Sequence, residues 1–128
     1  MKKKKQSRRE SFYHAFCGIS ELIRKETNFK IELSCATLAL FACGIFQVSR
    51  TEVILVILCC MIVLALEAVN TAIEHTVDLV TEEYRELARW AKDVAAGAVL
   101  LAAIGAACVG GSSVSSLPCG MDEKIIEK

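Results

Sequence analysis

Residues 53 to 78 read VILVILCCMIVLALEAVNTAIEHTVD, an apolar block that becomes polar toward its end. Its first part, Val53 to Leu66, carries no formal charge, whereas helices of similar length in soluble proteins interleave charged residues. Residues 33–49 and 94–121 are uncharged as well. Because a membrane span takes about 20 mostly apolar residues, the sequence predicts an all-α protein with three transmembrane helices. These spans are expected at about residues 31–48, 53–73 and 94–111.

The composition agrees with a small membrane protein. Of the 128 residues, 54% are hydrophobic and 23% are charged, and the mean hydropathy is +0.44. These values argue against a soluble globular domain and against a disordered chain. We predict a single membrane domain over residues 1–111 and a disordered tail over residues 112–128, and we expect no nucleic-acid partner.

The distribution of Lys and Arg predicts the orientation. Nine of them lie in the first 30 residues, the first connection has only Arg50, and the second connection has Arg85, Arg89 and Lys92. Positive charge accumulates on the cytoplasmic side of membrane proteins. The N-terminus and the second connection are therefore predicted to be cytoplasmic, as is any site formed there.

The segment before the first span has the pattern of an amphipathic helix. Apolar residues recur at intervals of three and four residues, which is typical of a helix lying in the headgroup region. They are Phe12, Ala15, Phe16, Ile19, Leu22 and Ile23. We predict an interfacial helix at about residues 8–28.

Polar residues form one stripe at the end of the second span. Glu67, Asn70, Glu74 and Asp78 are separated by three, four and four residues, so they share one face of a continuous helix. A carboxylate at membrane depth costs about 2.5–3.5 kcal/mol, and neighbouring carboxylates repel each other. A cation, a metal ion or shared protons must offset this repulsion. The alternative is a polar contact between helices with no catalytic role.

Other charged residues are expected at the same level of the membrane. Lys92 and Asp93 precede the third span, and Glu26 and Glu32 flank the start of the first. Carboxylate oxygens bind divalent ions and Lys binds phosphate, so the cluster suits a nucleoside triphosphate. The sequence has no glycine-rich phosphate loop, and phosphoryl transfer would depend on a metal ion and carboxylates.

At these residues the chain resembles the small integral-membrane lipid kinases of bacteria, the family of diacylglycerol kinase and undecaprenol kinase. The most specific strings are Glu67-x-x-Asn70-Thr71-Ala72-Ile73-Glu74-x-x-x-Asp78 and, further along, Lys92-Asp93 followed by VAAGAV. The resemblance implies a homotrimer in the bacterial cytoplasmic membrane, with active sites shared between neighbouring subunits. It also implies ATP as phosphoryl donor, Mg²⁺ as cofactor and a lipid alcohol as acceptor.

The resemblance also implies a role for individual residues. Glu67 would be the general base and, with Asn70, would bind the lipid, while Glu26 and Glu74 would hold the Mg²⁺ of the nucleotide. The other residues implied in nucleotide binding are Asn70, Asp78, Lys92, Asp93, Glu83, Tyr84, Arg85 and His14.

The sequence leaves one alternative for the lipid acceptor and one for the functional class of the protein. The strings Val94–Leu101 and Val77–Val80 look more like those of undecaprenol kinases, with diacylglycerol as the alternative acceptor. A small proton-coupled transporter subunit is the competing class, in which Glu67 and Glu74 would relay protons. A relay would place acids through the whole membrane depth, and the outer half of these spans has none.

Overall fold

Four α-helices are present in the computed structural model, which describes residues 7–115. They are α1 (Arg8–Lys25), α2 (Thr27–Ile45), α3 (Arg50–Val80) and α4 (Glu86–Ser115). Helix is the only regular secondary structure in this part of the chain, which confirms the all-α prediction. Lys2 to Lys5 and the tail beyond Ser115 lie outside the described residues.

The three predicted spans are confirmed, since α2, α3 and α4 are long and apolar enough to cross a membrane. Each predicted span shares most of its length with one of these helices, but the helix ends differ. Helix α3 continues past residue 73 to Val80, and α4 begins at Glu86 rather than near residue 94. Hydropathy locates the part of a helix that lies in the bilayer, whereas the helix itself continues until a residue breaks it.

Two predicted boundaries need correction. The first helix ends at Lys25 instead of residue 28, because the backbone of Glu26 is extended (φ −91°, ψ 118°) and α2 starts at Thr27. Residues 112–115, predicted as part of the disordered tail, are helical and continue α4. The hydroxyls of Ser112 and Ser113 donate to the backbone carbonyls of Cys108 and Val109, one turn earlier, so these polar side chains have partners within α4.

A short turn joins α2 to α3. Gln47 adopts a positive φ of 49°, and Ser49 caps α3: its backbone N–H donates to Glu52 Oε2 at 3.0 Å, and its Oγ accepts from the Glu52 N–H at 3.4 Å. This reciprocal capping box satisfies donors at the helix start that would otherwise have no partner. The turn therefore fixes where α3 begins, and with it the register of the polar stripe.

Helix α3 is central, and both α2 and α4 pack against it. The apolar core is small and comprises Phe29, Val56, Val63, Ala95 and Val99. Most other apolar side chains of the spans are exposed in the single chain, as expected where the surroundings are hydrocarbon rather than water. The buried face of α3 is apolar at Val56 and Val63 and then becomes polar at Glu67 and Asn70.

Helix α1 packs only lightly against the other helices and has no buried residue. Phe12 (68% exposed) and Phe16 (70%) are among its exposed apolar side chains. Such an unpartnered face is compatible with the predicted position at the membrane surface, which stays a prediction.

Candidate active site

The polar stripe lies on one face of α3, as predicted, and its burial changes along the helix. Glu67 and Asn70 are 4% and 5% exposed, Glu74 is half-buried and Asp78 is exposed. The Asn70 amide donates to Glu74 Oε1 at 3.0 Å. The Asn70 Oδ1 is buried and has no hydrogen-bond partner among the described residues. A buried acceptor without a partner is costly, so this oxygen is available to a ligand.

Helix α4 brings a cation to the exposed end of the stripe. Lys92 Nζ lies 2.5 Å from Asp78 Oδ1. Asp93, the next residue, accepts a hydrogen bond from Arg89 Nη1 at 2.7 Å, within the same helix. The prediction that Lys92 reaches the level of the stripe is therefore confirmed, while the side-chain contact given for Asp93 stays within α4.

Glu26 lies at the break between α1 and α2. Its backbone N–H donates to the Leu22 carbonyl at 2.9 Å, and its own carbonyl accepts from the Lys30 N–H at 3.3 Å. The carboxylate reaches α3, where Glu26 Oε1 lies 3.5 Å from His75 Nε2. The sequence gives no role to His75, because residues separated this far along the chain leave no periodic signal of their contact.

The acidic groups converge, as the sequence predicts. Glu67 and Glu74 lie two turns apart on one face of α3, and Glu26 reaches the same helix at His75, next to Glu74. Glu32, on α2, lines the same cavity as Val63, which lies one turn before Glu67 on α3. The Oε2 atom of Glu32 is buried and has no hydrogen-bond partner in the described part of the chain. Glu32 was expected at this level without a role, and the structure places it beside the buried end of the stripe.

The remaining candidates for nucleotide binding lie further out. Glu83, Tyr84 and Arg85 belong to the exposed connection between α3 and α4, where Arg85 Nη2 is 3.5 Å from Glu83 Oε2. His14 is exposed on α1, with its ring edge against that of Tyr13 at a centroid distance of 5.7 Å. A side-chain hydrogen bond with Cys17 raises the pKa of Tyr13 above its usual value. The contacts described for these side chains do not join them to the stripe.

The donor set suits a metal ion that arrives with a nucleotide. Across residues 7–115, no three His, Cys, Asp or Glu side chains are grouped to hold a metal ion. Glu26 and Glu74 offer two carboxylates near the same buried acid. Mg²⁺ typically binds to one or two carboxylates plus substrate phosphates rather than to a site made wholly of protein. These residues therefore fit the metal of a nucleotide better than a permanently bound ion.

An apolar cleft of about 490 Å³ opens beside this cluster, between α2, α3 and α4. Glu32 is its acidic lining residue, and small side chains such as Ala39, Ala106 and Gly110 form much of the wall. Ligand sites are commonly clefts of about 300–1,000 Å³ with few polar groups. A cleft of this size and lining can hold a segment of a hydrocarbon chain.

Comparison with known proteins agrees with this geometry. The model of the prokaryotic diacylglycerol kinase family matches residues 13–114. The chain is 41% identical over 101 residues to an undecaprenol kinase of Bacillus subtilis, a match that covers 79% of this chain and 82% of that protein. It is 42% identical over 102 residues to a diacylglycerol kinase of Synechocystis, covering 79% of this chain and 58% of that longer protein.

A diacylglycerol kinase of Escherichia coli is more distant, with 37% identity over 91 residues, 71% of this chain and 75% of that protein. The family match covers α2 and α3 completely, α1 from residue 13 and α4 to residue 114, and with them the polar stripe and the Lys92–Asp78 pair. The chain therefore belongs to the prokaryotic diacylglycerol kinase family.

Proposed function

We propose that this protein transfers the γ-phosphate of ATP to the hydroxyl of undecaprenol in the bacterial cytoplasmic membrane. Membership of the family makes the chain an ATP-dependent lipid kinase with an alcohol acceptor, and the choice of acceptor is the proposal. The observation that supports the reaction itself is the position of Glu67, which is 4% exposed, on the same face of α3 as Asn70 and Glu74, and one turn beyond Val63 of the apolar cleft.

Glu67 is the general base in this proposal. As the acceptor oxygen bonds to the γ-phosphorus, the bond from that phosphorus to the leaving ADP oxygen breaks, and the hydroxyl proton passes to the Glu67 carboxylate. Asn70 helps to hold the hydroxyl with its buried Oδ1. A lipid alcohol can reach such a base from the bilayer side, whereas ATP approaches from the exposed end of the stripe.

Glu26 and Glu74 hold the Mg²⁺ that ATP brings, and Mg²⁺ supplies neutralisation of phosphate charge. Lys92 provides a further cation, and Asp78 orients it through their ion pair. The remaining candidate residues contribute to nucleotide binding from the periphery of the site. They are Asp93, Glu83, Tyr84, Arg85 and His14. Phosphoryl transfer depends mainly on positioning and charge stabilisation, which this set can provide without a phosphate loop.

The protein works as a homotrimer with the active site on the cytoplasmic side and α1 on the inner leaflet. The light packing of α1 and the many exposed apolar side chains of the spans leave surfaces for lipid and for neighbouring subunits. The distribution of Lys and Arg supports the orientation. Because the chain belongs to a kinase family, we do not propose the proton-coupled transporter.

Undecaprenol is preferred to diacylglycerol because the strings at residues 77–80 and 94–101 look like those of the undecaprenol kinase branch. The apolar cleft of about 490 Å³ does not discriminate between the two lipids, since it is smaller than the hydrocarbon part of either. The similarity to the Synechocystis diacylglycerol kinase favours the second acceptor, and a direct competition must decide between them.

The test is a competition between the two lipids. Purified protein in vesicles that contain equal amounts of undecaprenol and dioleoylglycerol receives Mg²⁺ and γ-labelled ATP, and the labelled lipids are separated by chromatography. We expect most of the label in undecaprenyl phosphate, and none above background with Glu67→Gln. Label found mainly in phosphatidic acid would refute undecaprenol as the preferred acceptor, and label in neither lipid would refute the proposed reaction.

A further inference from the structure

His75 links α3 to the break between α1 and α2. Its Nε2 lies 3.5 Å from Glu26 Oε1, and the imidazole is 71% exposed. Like the Lys92–Asp78 pair, this contact joins two different helical segments. Glu26 therefore has a partner on the same helix that carries Glu67 and Glu74.

The backbone around Glu26 gives its side chain little support. The residue is extended between two helices, and its side chain is 33% exposed. It lines a cavity of about 330 Å³ between α1 and α3, together with Leu22, Thr71 and His75. Because open space lies on this side, packing alone does not select one orientation of the carboxylate.

We propose that His75 is a positioning residue that orients the Glu26 carboxylate for the metal ion of the bound nucleotide. This inference rests on the metal role given to Glu26 under the proposed function. His75 directly follows Glu74 in the sequence. The same turn of α3 therefore carries the Glu74 carboxylate and, through the imidazole of His75, fixes the carboxylate of Glu26. Partners of this kind hold metal-binding groups in position, and their removal typically weakens metal affinity about 10- to 100-fold.

Because of the position of His75, an effect of its substitution on metal binding can be distinguished from an effect on folding. The imidazole is mostly exposed and has no described contact with the apolar core, so its replacement does not disturb helix packing. His75→Leu removes the nitrogen and keeps apolar bulk, whereas His75→Gln keeps an N–H donor of similar reach. Glu21→Gln is the matched control, because Glu21 lines the same cavity but pairs with Lys25 on α1.

The experiment measures Mn²⁺ binding by electron paramagnetic resonance with the full-length protein in lipid nanodiscs and a non-hydrolysable ATP analogue. We expect His75→Leu to weaken Mn²⁺ binding about tenfold, the lower end of the range for such partners. His75→Gln and Glu21→Gln should remain within about twofold of the unmodified protein. In parallel assays, the Mg²⁺ concentration for half-maximal activity should rise in His75→Leu, with kcat at saturating Mg²⁺ nearly unchanged.

Glu26→Gln separates the inference from the function on which it rests. Weaker Mn²⁺ binding in Glu26→Gln together with normal binding in His75→Leu would overturn the role of His75 alone. Equal losses in His75→Leu and His75→Gln would overturn it too, because the donor would then be irrelevant. Normal binding in Glu26→Gln would overturn the metal role of Glu26 and this inference with it.

Discussion

Lys92 Nζ contacts Asp78 Oδ1 at 2.5 Å and so joins the first turns of α4 to the last turns of α3. The Lys92 side chain is 34% exposed and that of Asp78 is 64% exposed, which places the pair at the open end of the polar stripe. The Lys92 ammonium can turn toward an incoming phosphate and still remain near the Asp78 carboxylate. The pair is the connection through which α4 takes part in the site.

Replacement of Lys92 by Met should lower kcat/KM for ATP by about 10²-fold, the usual effect of losing one group that stabilises transferred charge. Asp78→Asn should have a smaller effect, about tenfold, since Lys92 remains. Steady-state kinetics with varied ATP measures both values. Arg50→Gln, at the opposite end of α3, is the control and should change neither parameter more than about twofold. A Lys92→Met enzyme with normal kcat/KM would remove this residue from the proposed nucleotide site.

Asn70→Leu should lower activity far more than stability. Leucine removes a buried amide whose Oδ1 has no hydrogen-bond partner in the described chain, and it also takes the donor away from Glu74 Oε1, a loss that costs about 1–3 kcal/mol where the remaining group is buried. Because Glu74 is only half-buried and water can replace the lost donor, we expect a loss of unfolding free energy of about 1 kcal/mol, the low end of that range, and a loss of activity of about 10²-fold. Unfolding in detergent and phosphotransfer assays measure the two effects. Equal activity in Asn70→Leu and in Val69→Leu, an exposed neighbouring change, would contradict the role of Asn70.

Substitutions in the turn before α3 should change the stability of the protein without changing its activity. Gln47 has φ of 49°, a region in which an L-residue with a side chain is strained by about 1–2 kcal/mol. Gln47→Gly should therefore stabilise the protein by about 0.5–1 kcal/mol, and Gln47→Val should destabilise it, because a β-branched side chain tolerates this region least. Thermal unfolding of the two variants should move in opposite directions. Movement of both in one direction would show that strain at Gln47 does not limit stability.

The cap of α3 can be tested in the same assay. Ser49→Ala removes the oxygen that accepts from the Glu52 N–H, and loss of such a cap typically destabilises a protein by about 1 kcal/mol. Ser34→Ala is the control, since the Ser34 hydroxyl bonds to the Lys30 carbonyl inside α2, where Ala is a better helix former. If Ser49→Ala and Ser34→Ala unfold at the same temperature, the cap does not contribute to the stability of the protein.

The spans and the polar stripe could be predicted because each depends on local sequence. Uncharged blocks long enough for a bilayer identify three helices, and steps of three and four residues place Glu67 through Asp78 on one face. The ends of α3 and α4 could not be located in this way, since hydropathy follows the bilayer rather than backbone hydrogen bonds. Nothing in residues 74–80 breaks a helix, and α3 simply continues.

Contacts between distant segments were predictable only where charge demanded them. Lys92 was expected near the stripe because several acids need a cation, and its pairing with Asp78 agrees. The contact of His75 with Glu26 had no such signal, because each residue has the pattern of an ordinary polar residue at the membrane surface. The cleft next to Glu32 was also missed, since it arises from how α2 and α4 both pack on α3.

In the proposed reaction, Glu67 removes the proton of a lipid alcohol beside a nucleotide held by Glu26 and Glu74. Rapid-quench measurement of γ-phosphate transfer to undecaprenol, with Glu67→Gln and the exposed control Glu86→Gln, tests this role. Loss of a general base typically slows a reaction about 10²- to 10⁴-fold. For Glu67→Gln we predict a loss of this size together with normal Mn²⁺–nucleotide binding. For Glu86→Gln we predict an unchanged rate. A transfer rate for Glu67→Gln within about threefold of the unmodified protein, far below that range, would contradict the account.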